Sequence, residues 1–305
     1  MEKARQKKIR LATVGHIIYD IRDYVEELPQ KDKTVKLRMP SKVSGGGSAA
    51  NVAVNACKLG IPSGVIGNIG TDRHGSFLLE ELHSFKVDTS QVRRLHGASG
   101  LSVILIDSRG EVEVIEDYGV ADRRRSIDEK YVRSAEFLHM SGCSIHHLEA
   151  ASSAAEKEGL PISFDPGRAA SRLGERKLSK ILSRTKYLIV NKREIIAITK
   201  REDIYHACEE MSEKYGLTCI IKQGGDDTLI IGEKIHEHVP IFKVKCIDTI
   251  GAGDAFCAGF ITGMLEKKPL PQAVRFANAV AASKVLFKGA QSLPSRKYIQ
   301  ERFRV

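Results

Sequence analysis

An α/β fold built around a mostly parallel sheet is what this sequence predicts, and three observations carry that prediction. Short apolar, strand-like runs alternate with longer helix-patterned segments over most of the chain, the arrangement of strands covered by helices on both faces. At 305 residues and 42% hydrophobic content the chain can bury a large core, as one large α/β domain or two ordinary ones. Only two regions, residues 17–43 and 98–118, break the alternation.

The strand candidates are residues 11–14, 64–67, 137–140, 161–164, 187–190 and 218–221, with a further strand-like run at 241–247. Between them lie helix candidates at 49–59, 75–85, 144–158, 177–184, 204–215, 254–265 and 271–284. In the second irregular region, residues 102–107 and 111–116 flank Ser108-Arg109-Gly110 and read as a hairpin. These antiparallel pieces are expected to form a small lid beside the main sheet. With no internal repeat and no low-complexity linker, the expectation is one domain over residues 1–305 whose lid is formed by 17–43 and 98–118.

The formal charge of +10 suits nucleic acid, an acidic membrane surface or an anionic substrate. Much of the excess crowds into Lys3, Arg5, Lys7, Lys8 and Arg10. The rest is scattered among acids, with no basic run interleaved by aromatics, which points away from nucleic acid. Cys57, Cys143, Cys208, Cys219, Cys246 and Cys257 have neither CxxC spacing nor a zinc-site cluster, and they read as reduced core residues. The apolar stretch 9–19 is broken by Arg10, Gly15 and His16, too poor for a secretion signal, and no run of about 18 apolar residues could span a bilayer. A soluble, cytoplasmic protein is expected.

The most informative stretch runs from Ile247 to Phe256: Ile-Asp-Thr-Ile-Gly-Ala-Gly-Asp-Ala-Phe. A strand-like run enters a glycine-rich turn, and small residues then open a helix. Amides exposed at such a helix start, with the macrodipole behind them, form a cradle for a phosphoryl group. Asp254 at that start is either a helix cap or a base, and the turn alone leaves both open. Neither GxxxxGK[ST] nor GxGxxG occurs in the chain, which argues against P-loop and dinucleotide-binding alternatives.

Residues 248–256 resemble the carboxy-terminal signature of ribokinase-like (PfkB) kinases. The resemblance implies a three-layer sandwich with a central, mostly parallel sheet and a small β lid. It also implies that Asp254 is the general base and that Gly251, Ala252 and Gly253 form the anion hole. Other segments follow in the family's order. Ser44-Gly45-Gly46-Gly47-Ser48-Ala49-Ala50-Asn51 resembles the GGxxxN segment, placing Gly46, Gly47 and Asn51 at the sugar. Asp20 matches the substrate-binding Asp, and a carboxylate with an amide suits adjacent hydroxyls. Gly67 to Gly75 resembles the amino-terminal signature GxxGxDxxG, whose role reads as structural.

Asn191-Lys192-Arg193-Glu194 matches NxxE, so Asn191 and Glu194 are assigned to the nucleotide phosphates, with Glu194 holding magnesium through water. From the residues alone, Asn191 would be a helix cap. Lys222-Gln223-Gly224-Gly225-Asp226-Asp227 resembles KxGxxG of the nucleotide site; Lys222 and Gly224 match, while Asp227 stands in place of the last glycine. Asn278 takes the position of an adenine-pocket residue. Asp248, Gly289 and Ser292 take those of a monovalent-cation site, which makes potassium a candidate cofactor beside magnesium and ATP or ADP.

Ser163-Phe164-Asp165-Pro166-Gly167-Arg168 resembles a DPxxR-like segment of several sugar and nucleoside kinases and assigns Arg168 to the substrate. More distinctive are Arg123, Arg124 and Arg125, either a solvated loop or guanidiniums that recognise an anionic group such as a sugar phosphate. The expected activity is transfer of a nucleotide's terminal phosphate to a hydroxyl of a sugar or ribose-containing substrate. Phosphorylation of an already phosphorylated sugar such as ribose 1-phosphate, nucleoside kinase activity, and an inactive sugar- or nucleotide-binding module are the competing readings. Expected partners are small molecules rather than nucleic acid or membrane, and a homodimer is compatible with all of these readings.

Overall fold

The computed structural model describes residues 9–305; Lys3, Arg5, Lys7 and Lys8 of the basic cluster lie outside the described residues. The strands are β1 (Leu11–Val14), β2 (Ile18–Tyr24), β3 (Lys42–Gly46), β4 (Ser63–Gly70), β5 (Val92–Leu95), β6 (Gly100–Ile106) and β7 (Val112–Asp117). They continue as β8 (Phe137–Ser141), β9 (Ile162–Asp165), β10 (Tyr187–Asn191), β11 (Thr218–Lys222), β12 (Thr228–Gly232) and β13 (Ile235–Val239). The helices are α1 (Ser48–Lys58), α2 (Arg73–Ser84), α3 (Glu129–Arg133), α4 (Ile145–Lys157), α5 (Gly167–Ser171) and α6 (Glu175–Leu182). After them come α7 (Lys192–Thr199), α8 (Ile204–Tyr215), α9 (Ala252–Leu265), α10 (Leu270–Lys284) and α11 (Arg296–Phe303).

The main sheet has the order β13-β12-β11-β10-β9-β8-β1-β4-β5. It is parallel from β11 to β5, and β12 and β13 add an antiparallel edge. Its inner strands are buried on both faces, so they read as continuous apolar runs rather than alternating ones, whereas the edge strands β5 and β13 are largely exposed. Leu188 and Val190 of β10 join a core with residues of α3 to α8, whereas Tyr187 and Ile189 join one with α1, α9, α10 and α11. That two-residue alternation makes the three layers. A second sheet, in the order β3-β2-β6-β7, stands apart. Its β6–β7 hairpin matches the antiparallel pair read from the sequence, while β2 and β6, far apart in the chain, pair in parallel.

One expected strand is absent. Residues 241–247 carry no strand pairing; β13 ends at Val239 and the chain runs along the cleft wall instead. Of the cysteines, Cys208, Cys219 and Cys257 are buried, Cys57 and Cys143 are half-buried and Cys246 is exposed; all are free thiols. Among the described residues no helix is long and apolar enough to cross a membrane.

Candidate active site

In open α/β sheets, ligands bind outside the carboxyl ends of the strands, where the strand order reverses. Here β1 lies between β4 and β8, and the chain winds outward from it in both directions. Asp165, Asn191 and Lys222 are the last residues of β9, β10 and β11, so the parallel register delivers them to one edge. A cleft of about 1200 Å³ opens there, walled by Asp20 and Ser102 of the small sheet on one side and by Lys222 and Asn278 on the other.

Helix α9 begins just after Gly251, whose φ of +76° is left-handed. A side chain at Gly251 would also fall 2.6 Å from the Cα of Ala290, so the turn demands glycine on both counts. Asp254 lies in the first turn of α9. Because α9 packs against α1, Asn51 reaches it: Asn51 Nδ2 donates to Asp254 Oδ2 at 2.8 Å, and Asn51 Oδ1 accepts from Gln291 Nε2 at 3.1 Å. Burial pushes the Asp254 carboxyl up to about 6, while the hydrogen bonds from Asn51 and the Ser48 hydroxyl pull the other way. Such a carboxylate is ionised at neutral pH and a better base than an ordinary one.

Asp20 is buried on β2 and faces the same cleft. Its carboxylate rests on the bare Cα of Gly46, where a Cβ would lie 2.0 Å from Asp20 Oδ2. Gly46 is therefore fixed by close approach. Burial pushes Asp20 up to about 7, opposed by the Arg22 guanidinium and assisted by the charge of Asp254. Gly47, the residue before α1, also lines the cleft.

At the other end, Lys222 Nζ donates to Asp165 Oδ2 at 2.6 Å. Burial opposes both charges, yet each partner's charge wins: Lys222 is raised above the ordinary lysine range and Asp165 lowered below the ordinary carboxylate range. A Cβ on Gly253 would lie 3.4 Å from Lys222 Nζ, so the ammonium stands beside the turn of residues 251–253. Asn191 and Glu194 form a reciprocal capping box on α7: Asn191 Oδ1 accepts from the Glu194 N–H at 3.0 Å and Glu194 Oε2 accepts from the Asn191 N–H at 2.9 Å. The helix-cap reading of Asn191 and its position on the cleft thus coexist. Burial, then the charge of Asp165, raises Glu194. Gly224 lies on the cleft rim in a left-handed conformation.

Asn278 lines the cleft but spends its polar atoms locally, accepting from Thr228 Oγ1 at 2.8 Å and donating to the carbonyls of Val239 and Pro240. Among the described residues no three His, Cys, Asp or Glu side chains cluster as a metal cage. Asn191, Glu194 and Asp165 line the same cleft, and a set of two carboxylates and one amide fits magnesium that keeps its waters rather than a fully protein-caged metal.

The arginines separate. Arg168 lines the cleft, joined by Arg172 on the turn after α5, which the sequence reading passed over. Arg123, Arg124 and Arg125 are not among the lining residues. Arg123 donates to the His96 carbonyl at 2.8 Å, and Arg124 is exposed. Arg125 is buried and clamps the carbonyls of Gly67 at 2.7 Å and Gln91 at 2.6 Å. Arg123 and Arg125 are thus spent on different backbone carbonyls, and only Arg124 of the run is exposed with no protein partner among the described residues.

Asp248, Gly289 and Ser292 do come together: the Gly289 N–H donates to Asp248 Oδ2 at 2.7 Å and Ser292 Oγ donates to the Gly289 carbonyl at 2.6 Å. A side chain absent from the sequence reading joins them, Lys284, whose Nζ donates to the Asp248 carbonyl at 2.8 Å. Burial lowers the Lys284 ammonium's pKa and Asp248 opposes that shift. Asp165 and Ser48 were also passed over as site residues, although each had a signal: Asp165 ends an apolar strand before Pro-Gly, and Ser48 opens a helix after glycines.

The family described as pfkB family carbohydrate kinase matches residues 8–297. An ATP-dependent ribose-1-phosphate kinase of Halopiger xanaduensis is 33% identical over 97% of this chain and 99% of its own length. Among solved structures, a ribokinase of Arabidopsis thaliana complexed with ribose and ATP superposes with a TM-score of 0.86 at 26% identity, covering 97% of this chain and 99% of that one. A nucleoside kinase of Methanocaldococcus jannaschii shares the fold, with a TM-score of 0.84 at 23% identity over 97% of this chain and 99% of its own.

Proposed function

This chain belongs to the pfkB family of carbohydrate kinases, and within it we propose that Asp254 takes the proton as the terminal phosphate of ATP moves to a hydroxyl of a ribose-containing acceptor. The observation that carries this reading is the hydrogen bond from Asn51 to Asp254, which aims a carboxylate of raised pKa into the cleft beside the turn of residues 251–253 and in the same space as Asp20. Asp20 and Asn51 hold adjacent hydroxyls of the acceptor. Asp254 accepts the proton from the attacking hydroxyl, that oxygen forms the new bond to phosphorus, and the bond to the bridging oxygen breaks as ADP leaves. Charge growing on the transferring group meets the amides of Gly251, Ala252 and Gly253 and the ammonium of Lys222.

Lys222 is held by Asp165 until phosphates compete for it. Asn191 and Glu194 are the residues that would hold magnesium through water, and the ion would supply neutralisation of phosphate charge. The small sheet acts as a lid, with Ser102, Ile104 and Tyr118 among the residues it and the segment after it bring to the cleft, and excludes water from the donor phosphate.

An acceptor that already carries a phosphate is the second reading. It is supported by the full-length likeness to the ribose-1-phosphate kinase and by Arg168 and Arg172, two guanidiniums on the cleft wall beyond Asp165. The test measures kcat/KM for ribose, a nucleoside and ribose 1-phosphate, each with ATP or ADP and magnesium. Turnover with any of them supports Asp254-driven transfer, preference for ribose 1-phosphate selects the second reading, and a folded protein idle with all three refutes both.

A further inference from the structure

Helix α10 ends inside the protein on a lysine. Lys284 is 0% exposed, and its ammonium lies 2.8 Å from the Asp248 carbonyl and 3.9 Å from Asp248 Oδ2. The other donors to Asp248 come from the chain as well: the Ile250 N–H reaches Oδ1 at 2.9 Å and the Gly289 N–H reaches Oδ2 at 2.7 Å. Ser292 turns its hydroxyl proton toward the Gly289 carbonyl. The residues assigned from the sequence to a monovalent cation therefore already face a positive charge carried by the chain itself. They do not fit a bound potassium ion, which would have to share Asp248 with the ammonium at repulsive range.

We propose that Lys284 is the cation of this site, so that phosphoryl transfer by this kinase requires no monovalent metal ion. Its ammonium neutralises Asp248 and ties the segment entering the turn of residues 251–253 to the loop at 287–291. Ala290 of that loop packs directly on Gly251, so the two loops set the turn's backbone together. Lys284 acts through the turn and is a positioning residue. The inference rests on the reading of that turn as the anion hole.

The experiment compares salts of equal ionic strength, roughly 0.1 M potassium chloride against tetramethylammonium chloride, so that screening is constant. Two readouts are taken, the acceptor-dependent rate and the thermal unfolding midpoint; the midpoint needs neither acceptor nor turnover. The parent should give the same values in both salts, whereas a protein binding potassium well below that concentration would gain roughly several degrees. Lys284→Ala should lose activity on the order of tenfold in tetramethylammonium. Potassium should then restore much of the rate and raise the midpoint, a cation-specific rescue that a lysine serving only to pack would not permit.

Stimulation of the parent by potassium overturns the proposal, as does a folded Lys284→Ala that is fully active without potassium or impaired beyond potassium rescue. If Lys284→Ala does not fold, the indifference of the parent, or its absence, decides. A parent idle with every acceptor would overturn the kinase reading, and the midpoint comparison would still report on Lys284.

Discussion

Replacing Asn51 by alanine should move the acid limb of the pH profile. Asp254 works as a base only when ionised, so kcat/KM for the free enzyme falls as pH drops through the carboxyl's pKa, about 6 in the parent. Asn51 is buried and donates to that carboxylate, a bond present only with full strength in the ionised form. A hydrogen bond to a charged group is worth about 1.5–3 kcal/mol, and a pKa unit corresponds to about 1.36 kcal/mol, so its loss should raise Asp254 by about 1–2 units. The limb should then lie near pH 7–8 by the same arithmetic, and the ionised fraction at pH 7 should drop from about nine-tenths to between about a half and a tenth. Asp20, pushed up to about 7, titrates in the same range, so both profiles are recorded in an Asp20→Asn background. Weaker acceptor binding would lower the whole curve without moving it. A limb that stays in place while the rate falls equally at every pH would refute the reasoning and leave Asn51 only a substrate contact.

Asp254→Asn should keep the fold and acceptor affinity while lowering kcat by about 10²–10⁴-fold, measured by coupled ADP release; near-normal turnover rejects the base assignment. Lys222→Met strands Asp165 in a buried site, which should cost about 3–5 kcal/mol in urea unfolding at neutral pH. The paired Asp165 has its pKa lowered, so its contribution is present above the ordinary carboxylate range and lost as pH falls through the folded value; the gap between parent and variant should narrow in acid, and a pH-independent gap would argue against the pair. Arg125→Ala exposes two clamped carbonyls to an apolar gap at about 1–3 kcal/mol each, lowering the unfolding midpoint with acceptor KM unchanged; a raised KM for a phosphorylated acceptor at constant stability would return the arginines to the site.

Local chemistry made part of this molecule legible. Glycine-rich and Asn- or Asp-led helix starts announce turns and caps whatever surrounds them, which is why the turn of residues 251–253 and the cap at Asn191 are legible locally, whereas Asn51, Lys222 and the base role of Asp254 rest on the resemblance to ribokinase-like kinases; the structure brings all four to one cleft. Lys284 carried no such mark: a basic residue in the last turn of a helix is what a solvated C-terminus requires, and only the packing of α10 beneath residue 248 buries it. Arg125 is hidden for a similar reason, being chemically identical to two exposed neighbours. The run 241–247 has the apolar spacing of a strand, but most of its apolar side chains line the cleft instead of joining the sheet, a placement set by the tertiary structure and not by the local pattern. Likewise, the parallel union of β2 with β6 joins residues that no window of sequence contains together.

The meeting of Asn51 with Asp254 also sets a schedule for synthesis. The two lie 203 residues apart in the chain. At elongation rates of about 5–20 residues per second, the amide leaves the ribosome roughly 10–40 s before its carboxylate partner exists. Strands β1 to β11 and the helices between them can assemble during that interval, since their neighbours are already made. The proposed base Asp254, the turn before it and Lys284 all follow the last strand of the sheet. A chain made only as far as residue 247 can therefore hold the whole sheet and still lack the proposed base, so on this reading nucleotide consumption waits for the segments that follow.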